Sequence, residues 1–136
     1  MLRKLALAIV LTVGVSTDYA RVFEIRTYTT SQKMERLEAL FREHSLALFK
    51  KHGFEVIGFW IPQDPPCSEN TFIYMLAFPD RATAKAKWDA FHSDPEWLKV
   101  RAEFEAKYGK IVDKVEPQFV SPVDFSPLKE RGKPRG

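Results

Sequence analysis

From residue 22 onward the chain alternates short, densely apolar runs with longer runs in which apolar residues return every three or four positions. VFEIRTY (Val22 to Tyr28) is rich in β-branched and aromatic residues and has the length of a strand. SQKMERLEALFREHSLALFKKHG follows, with Met34, Leu37, Phe41, His44 and Leu48 at helical spacing and Leu40 alongside, which predicts one helix with one core-facing stripe. Ser31 is its expected N-cap. Lys50, Lys51 and His52 fall in its last turn, where cations suit the negative end of the helix dipole, and Gly53 sits where a left-handed C-terminal cap is needed. FEVIGFWI restarts the chain as a strand. The Pro-rich loop IPQDPPCSEN leads to TFIYMLAF, apolar on both alternations and therefore expected in the centre of a sheet. Asp80 is the expected cap of a helix carrying Ala84, Trp88 and Phe91 on one face. Asp94-Pro95 begins another, with Trp97, Val100, Phe104 and Tyr108, ended by Gly109. A last strand, about residues 111–120, contains Pro117, which cannot donate to a ladder and predicts an edge.

The order β-α-β-β-α(α)-β predicts an α+β, ferredoxin-like domain: a four-stranded antiparallel sheet with its helices on one face. Such a sheet should be polar on its bare side. Here both alternations of strands two and three are apolar (Val56 and Trp60 with Ile57 and Phe59, Phe72 and Tyr74 with Ile73 and Met75), which leaves a large greasy patch. Two copies meeting sheet to sheet would bury it, so a symmetric homodimer is expected.

Charge changes this picture little. The formal charge of +3 arises at the termini, because residues 21–128 hold fifteen Lys/Arg against sixteen Asp/Glu. A body so close to neutrality lacks the broad basic face that a phosphate backbone requires, so no nucleic-acid partner is expected. The excess sits in Arg3, Lys4 and the closing KERGKPRG, and residues 128–136 read as a basic, solvated tail. Residues 1–20 have the layout of a secretory signal peptide: the cationic start MLRK, the apolar run Leu5 to Val15, then small and polar residues. At 1.5 Å per residue that run covers roughly half of a ~30 Å hydrocarbon core, so no stable membrane anchor is expected. Export to the periplasm or the medium is the reading, with a mitochondrial presequence as the alternative. The single cysteine, Cys67, cannot close an intrachain disulfide.

FEIRTYT, KHGFEVIGFW, the HSDPEW corner and the final VDFSP stand in an order and spacing that resembles the NIPSNAP family over roughly residues 22–127. The resemblance implies a dimeric α/β barrel built from two ferredoxin-like protomers. That family includes mitochondrial proteins linked to vesicle trafficking and mitophagy, and many bacterial members with no assigned reaction. The export-type leader and single short domain of this chain argue against the mitophagy role.

His44 is the candidate catalytic residue. Its place in the apolar stripe points the imidazole at the sheet, either as a core or rim histidine bonded to a carbonyl or hydroxyl, or as the base or donor of a pocket between helix and sheet. Trp60, Tyr74 and Trp88 are candidates to line the same pocket, with ordinary core packing as the plainer account of each. Glu24, Arg26 and Tyr28 project on one side of the first strand. If that side lines the dimer barrel, the Glu24–Arg26 pair leaves water and fixes the dimer register, or else binds a ligand. His52 and His92, at helix ends, are expected to cap or face solvent. No metal-ligand spacing and no Gly-rich phosphate loop occurs, and no cofactor is predicted. The sequence thus supports a domain that binds a small apolar or amphipathic ligand. A cofactor-free or haem-using monooxygenase or isomerase, and a protein–protein adaptor, are the alternatives.

Overall fold

The structure is a computed structural model and describes residues 21–128. The predicted leader and, from residue 129 onward, the basic tail lie outside the described residues. Four strands, β1 (Val22–Thr29), β2 (Glu55–Trp60), β3 (Thr71–Phe78) and β4 (Lys114–Val120), form one sheet in the order β2-β3-β1-β4 with every neighbouring pair antiparallel. This is the ferredoxin-like arrangement. The two most apolar-rich long strands, β1 and β3, take its centre, and Pro117 lies on the edge strand β4.

Between β1 and β2 run α1 (Met34–Leu40), a π-helical turn (Phe41–Ser45) and α2 (Leu46–Lys51), joined end to end. The amide of Leu46 donates to the carbonyl of Phe41, five residues back, so the turn holds one residue more than an α-helix would. That residue breaks the single stripe expected from the sequence. Leu37, Leu40 and Phe41 are buried before it, and Ser45, Leu48 and Phe49 after it. His44 is rotated off the core-facing line and ends half-buried. The expected Ser31 cap is absent as well: the helix starts three residues later, without a side-chain cap. Thr30 and Gln32 organise that corner instead, Thr30 Oγ1 donating to the Ile111 carbonyl (2.8 Å) and Gln32 Nε2 to that of Tyr108 (2.7 Å).

The loop before β3 contains the short helix α3 (Cys67–Asn70), and β3 is followed by α4 (Arg81–Ser93) and α5 (Pro95–Tyr108). Both long helices begin on the predicted aspartates. Asp80 accepts from the Thr83 amide (2.6 Å) and Asp94 from that of Glu96 (2.8 Å), with Pro95 in the first turn where its missing N–H costs nothing. Gly53 closes α2 at φ +70°, the left-handed conformation that favours a residue without Cβ.

The core lies between the helices and one face of the sheet. On β3 that face carries Phe72, Tyr74, Leu76 and Phe78, all but inaccessible, and Phe49, Phe54, Trp88 and Phe91 pack over it from the helical layer. Register decides what β1 contributes. Glu24 pairs with Leu76, Arg26 with Tyr74 and Tyr28 with Phe72, so the polar side of β1 faces the helices. The sequence allowed these three residues to line the sheet's outer face. The observed pairing corrects that, because residues directly opposite in a ladder share a face. The outer face carries Phe23 and Ile25 of β1, Ile73, Met75 and Ala77 of β3, and Trp60 of β2. A bulge between Val56 and Gly58 turns Phe59 inward and Trp60 outward. A Cβ on Gly58 would meet the Trp60 ring at 2.8 Å, so this glycine lets the indole lie against the strand.

Candidate functional site

Period two on β1 aims Glu24, Arg26 and Tyr28 at the helical layer in one row, and Tyr74 stands beside Arg26 on β3. Above them, α4 presents Trp88, Phe91 and His92, three and four residues apart and so neighbours on one side of the helix. The π-turn contributes Ser45, and α5 contributes Trp97, Arg101 and Glu105. These elements enclose a cavity of about 210 Å³ between sheet and helices.

Glu24, 1% exposed, has both oxygens engaged. Oε1 accepts from Arg26 Nη1 at 2.8 Å and Oε2 from Trp88 Nε1 at 2.7 Å. One carboxylate thereby fixes a cation from the sheet and an indole from the helix, and the guanidinium lies 4.2 Å from the Trp88 ring centroid, in cation–π contact. The buried Nε of Arg26 has no partner among the described residues. Burial works against the charge on Arg26, but Tyr74, Tyr28 and Glu24 outweigh it and raise its pKa, so the guanidinium stays protonated.

The Tyr28 and Tyr74 hydroxyls are 2.7 Å apart. Burial above all, then its tyrosine neighbour, pushes Tyr74 well above the ordinary phenol pKa against the pull of Arg26, so it remains a neutral hydroxyl. His92 stacks on Trp88 with centroids 5.3 Å apart and planes 19° from parallel. Burial first, and then the charges of Arg26 and Arg101, lower its pKa, which leaves a neutral imidazole at the cavity wall at neutral pH.

Of the residues singled out from sequence, Arg26, Tyr28, Tyr74 and Trp88 meet at this cavity, and Glu24 ties two of them together from behind. His44 does not line it. Trp60 borders a separate open groove of about 330 Å³ with Phe41, Leu46 and Phe59, at the end of β2. His92, expected to cap a helix end or face solvent, lines the cavity, and Ser45 lines it from the side of the helix where periodicity places His44. Spacing carried a signal for His92, one turn after Trp88 and adjacent to Phe91, whereas nothing in the pattern announced the π-turn. His52 is bonded to Asp94 at 2.6 Å and belongs to the α2–α5 junction. Among the described residues no cluster of His, Cys, Asp or Glu could hold a metal ion.

The antiparallel β2-β3-β1-β4 sheet with one helical layer and a cavity between them defines an α+β domain of the ferredoxin-like class. The chain matches the NIPSNAP family over residues 23–127 and belongs to that family. No curated protein matches it. A NIPSNAP family protein from Agrobacterium tumefaciens superposes with a TM-score of 0.67 at 22% identity, covering 79% of this chain and 98% of the other. A NIPSNAP-like domain protein from Burkholderia xenovorans gives 0.69 at 15% identity, with 87% and 99% covered. SnoaB, a cofactor-independent oxygenase from Streptomyces nogalater, gives 0.53 at 12% identity, with 79% and 98% covered, which shows a shared fold.

Proposed function

We propose that this NIPSNAP domain works as a homodimer in which each helix–sheet cavity binds a small amphipathic molecule, an aromatic or alicyclic body with one anionic or strongly accepting group. The observation that carries this reading is Arg26, a charged guanidinium held by Glu24 and facing an aromatic-walled cavity. A buried charge is costly and rarely kept for stability alone, because a well-packed apolar pair is often as stable. Trp88, Tyr28 and Phe91 supply flat apolar walls, and Arg26, held by Glu24 at the sheet, supplies the fixed charge that orients a ligand between them, with Arg101, Glu105 and Lys110 also lining the cavity. Ligand size follows from volume. About 210 Å³ falls below the roughly 300–1,000 Å³ usual for drug-sized ligands, so one or two rings fit.

The test is calorimetric titration with 1-naphthoate and with its neutral carbinol analogue. The wild type should prefer the carboxylate by about tenfold or more, the scale of one charge-assisted hydrogen bond. Removing Arg26 alone would strand a buried carboxylate, so the informative variant is the double change Glu24→Gln with Arg26→Met, which keeps an amide acceptor for Trp88. It should fold and lose the preference. Equal binding of both compounds by the wild type would refute the assignment.

A further inference from the structure

We infer that the cavity takes a proton from its ligand, with His92 as the acceptor and Arg26 holding the oxyanion that forms. The inference rests on the binding reading above and adds a reaction to it. Both groups line one cavity and both contact the same indole, Arg26 at 4.2 Å and His92 at 5.3 Å between centroids, so Trp88 fixes the base relative to the cation. A ligand ring set between them can bring an acidic O–H, or a C–H beside a carbonyl, to the imidazole while its oxygen meets the guanidinium.

The electrostatics suit that division of labour. At rest the imidazole is neutral and its lone pair is free to accept. The charges facing it are Arg26 and Glu24 from β1, Asp89 from its own helix, and Arg101 with its partner Glu105 from α5. Burial first, and then the cations, keep it neutral until a negative ligand forms beside it. Asp89 and the carbonyls of the last turn of α4, where His92 sits, then favour the imidazolium. Arg26 cannot serve as base because it does not deprotonate, and Tyr74 is held as a neutral phenol. The Tyr28 and Tyr74 hydroxyls spend one proton on the bond between them, which leaves one O–H to donate to the oxyanion beside Arg26.

The step balances without a further reactant. The ligand's O–H or C–H bond breaks, an N–H bond forms on His92, and the electron pair stays on the ligand and is held at its oxygen by Arg26. Returning the proton to a different atom completes a tautomerisation. The ligand class is therefore small phenols, enols and 1,3-dicarbonyl compounds.

4-Nitrophenol is a direct probe, because its anion is yellow and its acid is not. It is added to the full-length protein at a pH just below its own pKa. Tryptophan quenching reports occupancy, absorbance reports ionisation per bound probe, and a dye in unbuffered solution reports released protons. In the wild type the bound probe should be yellow with no proton released. In His92→Gln the ionised fraction per bound probe should fall by about tenfold, or each anion should appear with one proton lost to solvent, since the internal acceptor is gone. A bound probe that stays colourless in the wild type, or a His92→Gln variant that ionises it equally without proton release, would overturn the proton-transfer step while leaving the binding site standing. Failure of the wild type to bind any phenol or carboxylate would remove both.

Discussion

Asp94 joins three parts of the structure at one side chain. Its Oδ1 caps α5 through the Glu96 amide, and its Oδ2 meets Lys51 at 2.8 Å and His52 at 2.6 Å, tying the end of α2 to the start of α5. Lys51, the Glu96 amide and His52 hold its carboxyl well below the ordinary carboxylate range. Because the folded pKa lies below the unfolded one, the stabilisation is full above the ordinary value of 3.8 and drains away as pH falls below it toward the folded pKa. An Asp94→Asn variant should therefore be less stable than the wild type at neutral pH, and the gap between their urea midpoints should narrow steadily below pH 4. A gap independent of pH would show that the charge on Asp94 contributes nothing. Residue-level chemistry was unevenly legible. DPEW marked Asp94 and Pro95 as helix-start residues, because capping depends on local geometry. The two ligands of Asp94 from α2 were invisible, since Lys51 and His52 lie more than forty positions earlier and only the fold brings them there.

At the level of the helix or strand, local chemistry again separates what could be read from what could not. KHG announced the end of α2, and Gly53 adopts φ +70° there while its carbonyl accepts from Lys87 Nζ of α4. A methyl group at this position would meet only ordinary contacts, the nearest being Lys87 Nζ at 3.6 Å, so the cost of Gly53→Ala is the left-handed backbone itself. Chemical denaturation should show a loss of about 1–2 kcal/mol with an unchanged m-value. A neutral substitution would mean that the turn can relax. The π-turn was not legible, because periodicity assumes a constant step of 3.6 residues and one inserted residue shifts everything after it. A constant step puts His44 in the core-facing stripe, as a core or rim histidine or as a pocket base. Leu48 and Phe49 recovered the core because α2 resumes in a new phase. The helix-end position of His92 suggests a cap or a solvent-facing ring, although Trp88 and Phe91 define its side of α4.

For the molecule as a whole, the surplus of apolar sheet inferred from sequence is present on the face away from the helices. Ile25, Ile73 and Met75 stand there half-buried, and Trp60 remains 49% exposed. The homodimer proposed above would cover them. Met75→Lys places a charge at the centre of that face and should raise the dimer dissociation constant by roughly thirtyfold or more, the equivalent of about 2 kcal/mol, without altering the circular dichroism spectrum. Sedimentation equilibrium measures it, and a variant that associates as tightly as the wild type would place the contact elsewhere. The number and order of the strands were readable because the apolar runs are long and well punctuated, whereas the inward direction of β1 depends on its register with β3, which no local pattern encodes. That register has a genetic corollary. Along β1, even-numbered residues shape the chamber and odd-numbered ones the opposite surface, so point substitutions can retune either role independently. Loss or gain of a single codon within the strand would exchange Ile25 for Arg26 and abolish both roles at once.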